Sequence, residues 1–246
     1  MERVKILDVG VDRVDVQEAV ARCRAFLAQG GSHLICTPNS EMIMAARQHP
    51  ELAAALARAD LVIPDGMGVV WAGKILGSPL PGRVTGIDLF LALCQAAARE
   101  GWSIYLLGGK PGVAQEAAAK LAARFQGLKI AGCQHGYFAG REEPAVLSQI
   151  KRAAPEILAA GLGSPRQELW LEEHLPKLGV PLGLGIGGSF DVLSGQKKRA
   201  PQAVSKLGLE WAWRLAKEPS RLPRMTALPR FALAVLKERL GGGRDQ

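Results

Sequence analysis

The sequence predicts an α/β fold: a mostly parallel sheet flanked by helices, followed by a basic helical appendage. Short apolar runs such as His33–Cys36 and residues 61–63 alternate with longer stretches of helical periodicity as far as Ile186, the pattern of strand–helix–strand crossovers. At 246 residues and 48% hydrophobic content, the chain can bury one α/β core with an appendage to spare. The charge is unevenly placed. Residues 1–195 carry 19 Lys/Arg and 19 Asp/Glu, whereas residues 196–246 carry 12 and 4, so the whole net charge of +8 belongs to the C-terminal fifth.

In chain order, the apolar run 4–9 reads as a first strand, and Asp15 can cap a helix reaching residue 29. After the His33 strand, Asn39 or Ser40 starts a helix, and Pro50 opens the next at a first-turn position. The Leu61 strand leads into a helix over 66–76, and Thr85 or Asp88 begins another that stops at Gly101. Residues 103–107 are a strand, followed by an Ala-rich helix to Phe125. Strands over 128–132, 156–162 and 181–186 are separated by helices from about Glu142 and over 165–178. The result is a Rossmann-like body over residues 1–195. Beyond it, 201–217 reads as one helix and 229–240 as another, with Pro219, Pro223 and Pro229 between them. Val204, Leu207, Trp211 and Leu215 share a face of the first, with Trp213 off it. Leu228, Phe231, Ala232, Val235 and Leu236 form a stripe on the second.

Composition narrows the functional classes. Cys23, Cys36, Cys94 and Cys133 are far apart with no Cys-x-x-Cys pair, so reduced thiols in a cytoplasmic protein are expected. The N-terminus lacks an apolar signal core, and no run approaches the ~18 apolar residues of a spanning helix. Membrane contact would therefore be peripheral, through the basic, Trp-bearing appendage and an anionic surface. No histidine pair at helical spacing and no Asp-x-Asp is present, so neither metal nor cofactor is expected. The first strand is followed by Val9-Gly10-Val11-Asp12 rather than Gly-x-Gly-x-x-Gly, which argues against a nicotinamide-dependent oxidoreductase. A nucleic-acid binder driven by the tail is the other rival class, marked by steep salt dependence with polynucleotide; nucleic acid is not the expected partner.

Ligands in open α/β sheets collect where strands end, which directs attention to four segments. Thr37 and Asn39 leave the His33 strand, where they can orient hydroxyl groups or simply begin a helix. Asp65, in Pro64-Asp65-Gly66, leaves the next strand; it suits a general base and equally suits a turn. Arg83 follows in a Gly/Pro-rich loop, as a phosphate-binding fork or a solvated arginine. In Gly185-Ile186-Gly187-Gly188-Ser189-Phe190-Asp191, Gly187 and Gly188 permit close backbone approach to a phosphate, and Asp191 can bind ribose hydroxyls.

These segments, together with GSPRQELW at 163–170, GIGGSFDVLSGQKKRA at 185–200 and GLEWAWRLAKEPSRLPR at 208–224, resemble the WecG/TagA/CpsF family, glycosyltransferase family 26, over nearly the whole chain. The resemblance implies an inverting, metal-independent glycosyltransferase. It would move N-acetylmannosamine from its UDP donor to the 4-hydroxyl of N-acetylglucosamine on undecaprenyl diphosphate, forming the linkage disaccharide of wall teichoic acid. Transfer of another sugar, such as N-acetylmannosaminuronate, is the alternative within the class. The resemblance also implies an active-site role for Gln167, packing of Tyr137 on uracil, and approach of Arg214, Arg221 and Arg224 to a diphosphate. Met225 stands where many relatives carry a further arginine. The expected place of action is the inner face of the cell membrane, and the oligomeric state is left open, a homo-oligomer included.

Overall fold

The chain runs β1 (Arg3–Ile6), β2 (Val9–Asp12), α1 (Val16–Gln29), β3 (His33–Cys36), α2 (Ser40–Ala46), α3 (Pro50–Arg58), β4 (Leu61–Val62), α4 (Met67–Ile75), α5 (Gly86–Glu100) and β5 (Ser103–Gly108). It continues through α6 (Val113–Arg124), β6 (Lys129–Gln134), α7 (Glu143–Ala153), β7 (Ile157–Gly161), α8 (Arg166–Leu178), β8 (Leu182–Gly185) and α9 (Ser189–Leu193). The appendage holds α10 (Gln202–Lys206), α11 (Glu210–Lys217), α12 (Leu222–Met225) and α13 (Ala227–Gly241). This computed structural model describes residues 3–241 apart from Leu207, and not the side chains of Gln202, Lys206 and Arg221.

The expected parallel sheet is present, with six strands in the order β4-β3-β8-β7-β5-β6. Two cores lie against its faces, and β3 feeds both: Leu34 and Cys36 point into one, Ile35 into the other. Strand β8 reads Leu-Gly-Leu-Gly. Its leucines fill the core beneath α1 and α5, while its glycines let α8 approach closely. A Cβ on Gly183 would meet Leu175 Cδ1 at 2.2 Å, and one on Gly185 would meet Gln167 Nε2 at 2.8 Å. The bare strand thus brings the first turn of α8 over the strand ends.

Two expectations need correction. Residues 4–9 are not one strand: β1 and β2 form a separate antiparallel hairpin, turning at Leu7 (φ 54°) and Asp8. The turn lacks the Asn-Gly or Asp-Gly signal that marks most such hairpins. The hairpin supports the edge of the main sheet, because Asp12 Oδ2 accepts from the Val62 backbone N–H at 2.8 Å while Arg22 pairs with Oδ1 at 2.9 Å. Short strand β4, which leads to Asp65, is fixed in this way. Residues 201–217 are likewise not one helix, since Gly208 at φ 74° separates α10 from α11. Leu207, assigned above to the apolar face, lies outside the described residues.

The last helix begins at Ala227, two residues before the proline expected to open it, and lies against α2 and α4. Phe231 and Val235 are buried in the same core as Met42 and Val69. Phe231→Ala is therefore expected to cost about 3–5 kcal/mol of unfolding free energy in a denaturant titration. A cost below 1 kcal/mol would show that α13 docks only loosely.

Candidate functional site

The carboxyl ends of β3, β4 and β8 and the appendage enclose a cleft of about 830 Å³. Thr37, Asn39, Asp65, Gln167, Gly187, Gly188, Arg214 and Arg224 all line it. The structure thus brings together most residues expected from the strand ends and the appendage. Tyr137 is 62% exposed and outside the lining. It follows β6, at the far edge of the sheet from β4. The side chain of Arg221 lies outside the described residues. Arg83 and Asp191 reach the cleft through ion pairs with residues that line it.

Local structure fixes each group. Thr37 Oγ1 donates to the Gly185 carbonyl at 3.1 Å, joining β3 to β8. Asn39 caps α2, its Oδ1 accepting from Met42 N–H at 3.0 Å, so its amide nitrogen is left over from the cap. Both readings of this segment, helix start and cleft lining, hold together. Gln167 is almost fully buried, with Oε1 accepting from Gly187 N–H at 3.0 Å and Nε2 donating to Glu168 Oε1 at 2.6 Å. That assignment leaves one Nε2 hydrogen for the cleft. It also engages the Gly187 N–H that the glycine-rich turn had suggested for a phosphate. Burial raises the Glu168 carboxyl above its ordinary range despite hydrogen bonds from Gln167 and Ser164.

Asp65 is the central group. Its backbone N–H donates to the Pro38 carbonyl at 3.2 Å, and the Pro64 carbonyl accepts from Val84 N–H at 3.0 Å. The turn is therefore clamped between neighbouring loops. Burial pushes its carboxyl up to about 6; Glu210 reinforces this, while Arg214, the Gly86 backbone N–H and Arg83 oppose it. A carboxylate in this range can take up a proton near neutral pH.

Glu210 joins body and appendage. It accepts from Arg83 Nη1 at 3.0 Å and from Arg214 Nε at 3.1 Å, with a further contact from Arg214 Nη2. Although burial works against its charge, Arg214 and Arg83 hold its carboxyl below the ordinary value. A parallel link runs through Lys197, which pairs with Asp191 at 2.7 Å and with Glu218 at 2.9 Å. Arg199 pairs with Asp88 at 2.7 Å beside the Thr85 cap of α5. With Lys198, Lys217 and Arg230 also lining it, the cleft presents an excess of cations around one perturbed aspartate. This is the electrostatics of a site for an anionic ligand.

A model of the glycosyl transferase WecG/TagA/CpsF family matches residues 4–245. The chain belongs to that family. As a WecG/TagA/CpsF glycosyltransferase, it is 36% identical over 212 residues to a Bacillus spizizenii protein named N-acetylglucosaminyldiphosphoundecaprenol N-acetyl-beta-D-mannosaminyltransferase, covering 86% of this chain and 82% of the relative. It is also 36% identical over 205 residues to the Bacillus subtilis protein of the same name, covering 83% and 79%.

Sequence reasoning had not singled out several residues of this glycosyltransferase's cleft. Glu210 stands four residues before Arg214, a spacing that signals a helical ion pair but not the second bond to Arg83. Lys197, Lys198 and Arg199 form a visible basic run without indicating a destination. Trp213, placed off the apolar face of its helix, lines the cleft, and its buried Nε1 has no acceptor among the described residues. Among those residues, no group of three His, Cys, Asp or Glu side chains could hold a metal ion, and no helix is long and apolar enough to cross a membrane.

Proposed function

We propose that this glycosyltransferase moves N-acetylmannosamine, with inversion, from UDP-N-acetylmannosamine to the 4-hydroxyl of N-acetylglucosamine on undecaprenyl diphosphate. The product would be the linkage disaccharide of wall teichoic acid. The observation carrying the chemistry is Asp65, raised to about 6 at the floor of a cation-rich cleft. The names of the two Bacillus relatives support the substrates. In the step, the Asp65 carboxylate removes the acceptor hydroxyl proton as that oxygen bonds to the sugar's anomeric carbon from the face opposite the leaving group. The bond from that carbon to the donor's phosphate oxygen breaks, and its electron pair leaves with UDP. Arg83 and Arg214 balance the charge developing on the diphosphate, a role a divalent metal fills in other designs. Thr37, Asn39 and the free Gln167 hydrogen orient the sugars. Gly187, Gly188 and Asp191 border the nucleotide, and Arg221 and Arg224 assist with diphosphate.

Residues 1–195 serve here as the catalytic body and 196–246 as a peripheral membrane appendage. Its net positive charge and the exposed Leu222, Leu233 and Leu240 support that division.

The test is a panel of UDP-sugars, N-acetylmannosaminuronate included, offered with lipid-diphosphate-linked N-acetylglucosamine. A β-linked N-acetylmannosaminyl product formed equally well with chelator present is expected. Transfer of a different sugar, or a requirement for added magnesium or manganese, would refute the corresponding part. Glu168 supplies a second check, because it holds the Gln167 amide in one orientation. Glu168→Gln should retain turnover within about threefold, since its amide oxygen can still accept the bond. Glu168→Ala should lose about tenfold or more, consistent with a loss of about 1–2 kcal/mol for the hydrogen bond. Equal losses in both variants would show that the carboxyl group itself is required.

A further inference from the structure

Beside the cleft lies a second concavity, an apolar groove of about 380 Å³ walled by Trp71, Trp211, Met225, Leu228, Phe231 and Ala232. Trp71 and Trp211 are 38% and 44% exposed there, a considerable apolar surface to leave facing water. The groove and the cleft share their walls. Ser40 lines the groove and Asn39 the cleft; Trp211 lines the groove, Glu210 and Arg214 the cleft. On α13, Leu228 and Phe231 face the groove while Ala227 and Arg230 face the cleft.

The two spaces are also close to the reacting centre. Gly68 lines the groove only three residues after Asp65, and three residues of extended chain span no more than about 11 Å. A Cβ on Gly68 would meet Ser40 Oγ at 2.3 Å, so glycine is what lets α4 and α2 close the groove at this end. The cations Arg224 and Arg230 line the cleft next in sequence to Met225 and Pro229 of the groove, so a ligand reaching from the cleft into the groove passes from a cationic to an apolar surface. Such a sequence of surfaces is complementary to an amphiphile whose anionic linker joins a sugar to a hydrocarbon chain.

We propose that the groove seats the first isoprene units of the acceptor's polyprenyl chain, with the linking diphosphate at the cations where cleft and groove meet. This rests on the reading of the acceptor given above. In a bilayer the chain already has apolar surroundings, so the groove adds little affinity there. Its role is directional: holding the start of the chain sets the reach of the sugar, so that the 4-hydroxyl arrives at Asp65 in a reactive pose. In water without a bilayer, the same contacts appear as affinity, roughly fourfold for each CH2 buried.

The experiment uses the full-length protein without vesicles and two soluble acceptors, N-acetylglucosamine diphosphate esterified with methyl or with farnesyl. Both should be turned over, the farnesyl ester with a KM at least tenfold lower, and the farnesyl ester should change the tryptophan fluorescence more than the methyl ester does, a difference that Trp71→Ala diminishes. Ala232→Trp, which fills the groove, and Trp71→Ala, which removes a wall, should each erase that advantage while leaving kcat/KM for the methyl ester unchanged. Equal KM values in the wild type, or variants that lose activity on both esters alike, would overturn the groove assignment and leave the transferase reading standing. A dimer in sedimentation that Ala232→Trp dissociates would also overturn it, by making the groove an interface between copies. Turnover of neither ester would remove the acceptor reading and the groove assignment with it.

Discussion

Asp65→Asn is expected to lower turnover by about 10²- to 10⁴-fold, the usual range for a positioned general base, while donor affinity measured by calorimetry stays within a few-fold. Its pH dependence separates a catalytic carboxylate from a structural one. Burial pushes the Asp65 carboxyl up to about 6, so kcat/KM of the wild type should rise with pH through about 6 rather than through the ordinary aspartate range near 4. The sign for stability is opposite to that for activity. A carboxyl whose folded-state pKa lies above its unfolded value stabilises the fold when protonated, and that contribution is lost as pH rises from about 4 through about 6. At pH 7 the wild type therefore holds a disfavoured charge that asparagine lacks. Asp65→Asn should melt no lower than wild type at pH 7. A variant that melts well below wild type, or retains activity within a few-fold, would remove Asp65 from the role of base.

Much of this fold was legible because local signals and tertiary demands agree. Asp15, Asn39 and Thr85 each cap a helix where their spacing places a cap, and the apolar run at His33–Cys36 is a strand with those bounds. Failures came where the deciding force was not local. The turn at Leu7 and Asp8 is an unusual hairpin sequence, and the hairpin is held against the sheet by the buried Asp12 contact to Val62, 50 residues away. In the appendage, hydrophobic periodicity runs across Gly208, but the positive φ there redirects the chain so that α11 can present Glu210 and Trp213 to the cleft. The strand ends showed Asp65, Thr37 and Asn39 because a parallel sheet gathers such residues at one edge. Glu210 was not legible in the same way: its charge reads as the partner of Arg214 on a solvated helix, and only folding adds Arg83. Tyr137, suggested by resemblance, stands exposed outside the lining, between Gly136 and Phe138, whose carbonyls accept from Arg166 at the start of α8.

Arg214→Ala tests whether the appendage completes the site, because Glu210 joins this arginine to Arg83 and its positive charge opposes the effect of burial at Asp65. Removing it should have two separable effects. Loss of a cation for the leaving diphosphate should reduce kcat by about 10²-fold, as when one preorganised donor to a developing oxyanion is deleted. Loss of the positive field that opposes burial at Asp65, with Glu210 then less neutralised, should move the acid limb of kcat/KM above 6. Glu210→Gln should shift the limb downward instead, since it removes the negative neighbour and leaves both arginines. Arg214→Lys should restore the limb more fully than kcat, because a point charge reproduces the field but not the planar fork. Attraction to an anionic leaflet is spread over the appendage at about 1 kcal/mol per basic residue, so vesicle binding should fall only modestly in Arg214→Ala. The opposite pattern, unchanged turnover and pH profile on a soluble acceptor with vesicle binding lost, would make the appendage an anchor alone. Because Glu210 bonds Arg83 of the body and Arg214 of the appendage together, the first pattern is the expected one: displacing α11 would take from Asp65 the Arg214 and Glu210 charges that modulate the effect of its burial, and would leave Arg83 without Arg214 beside it.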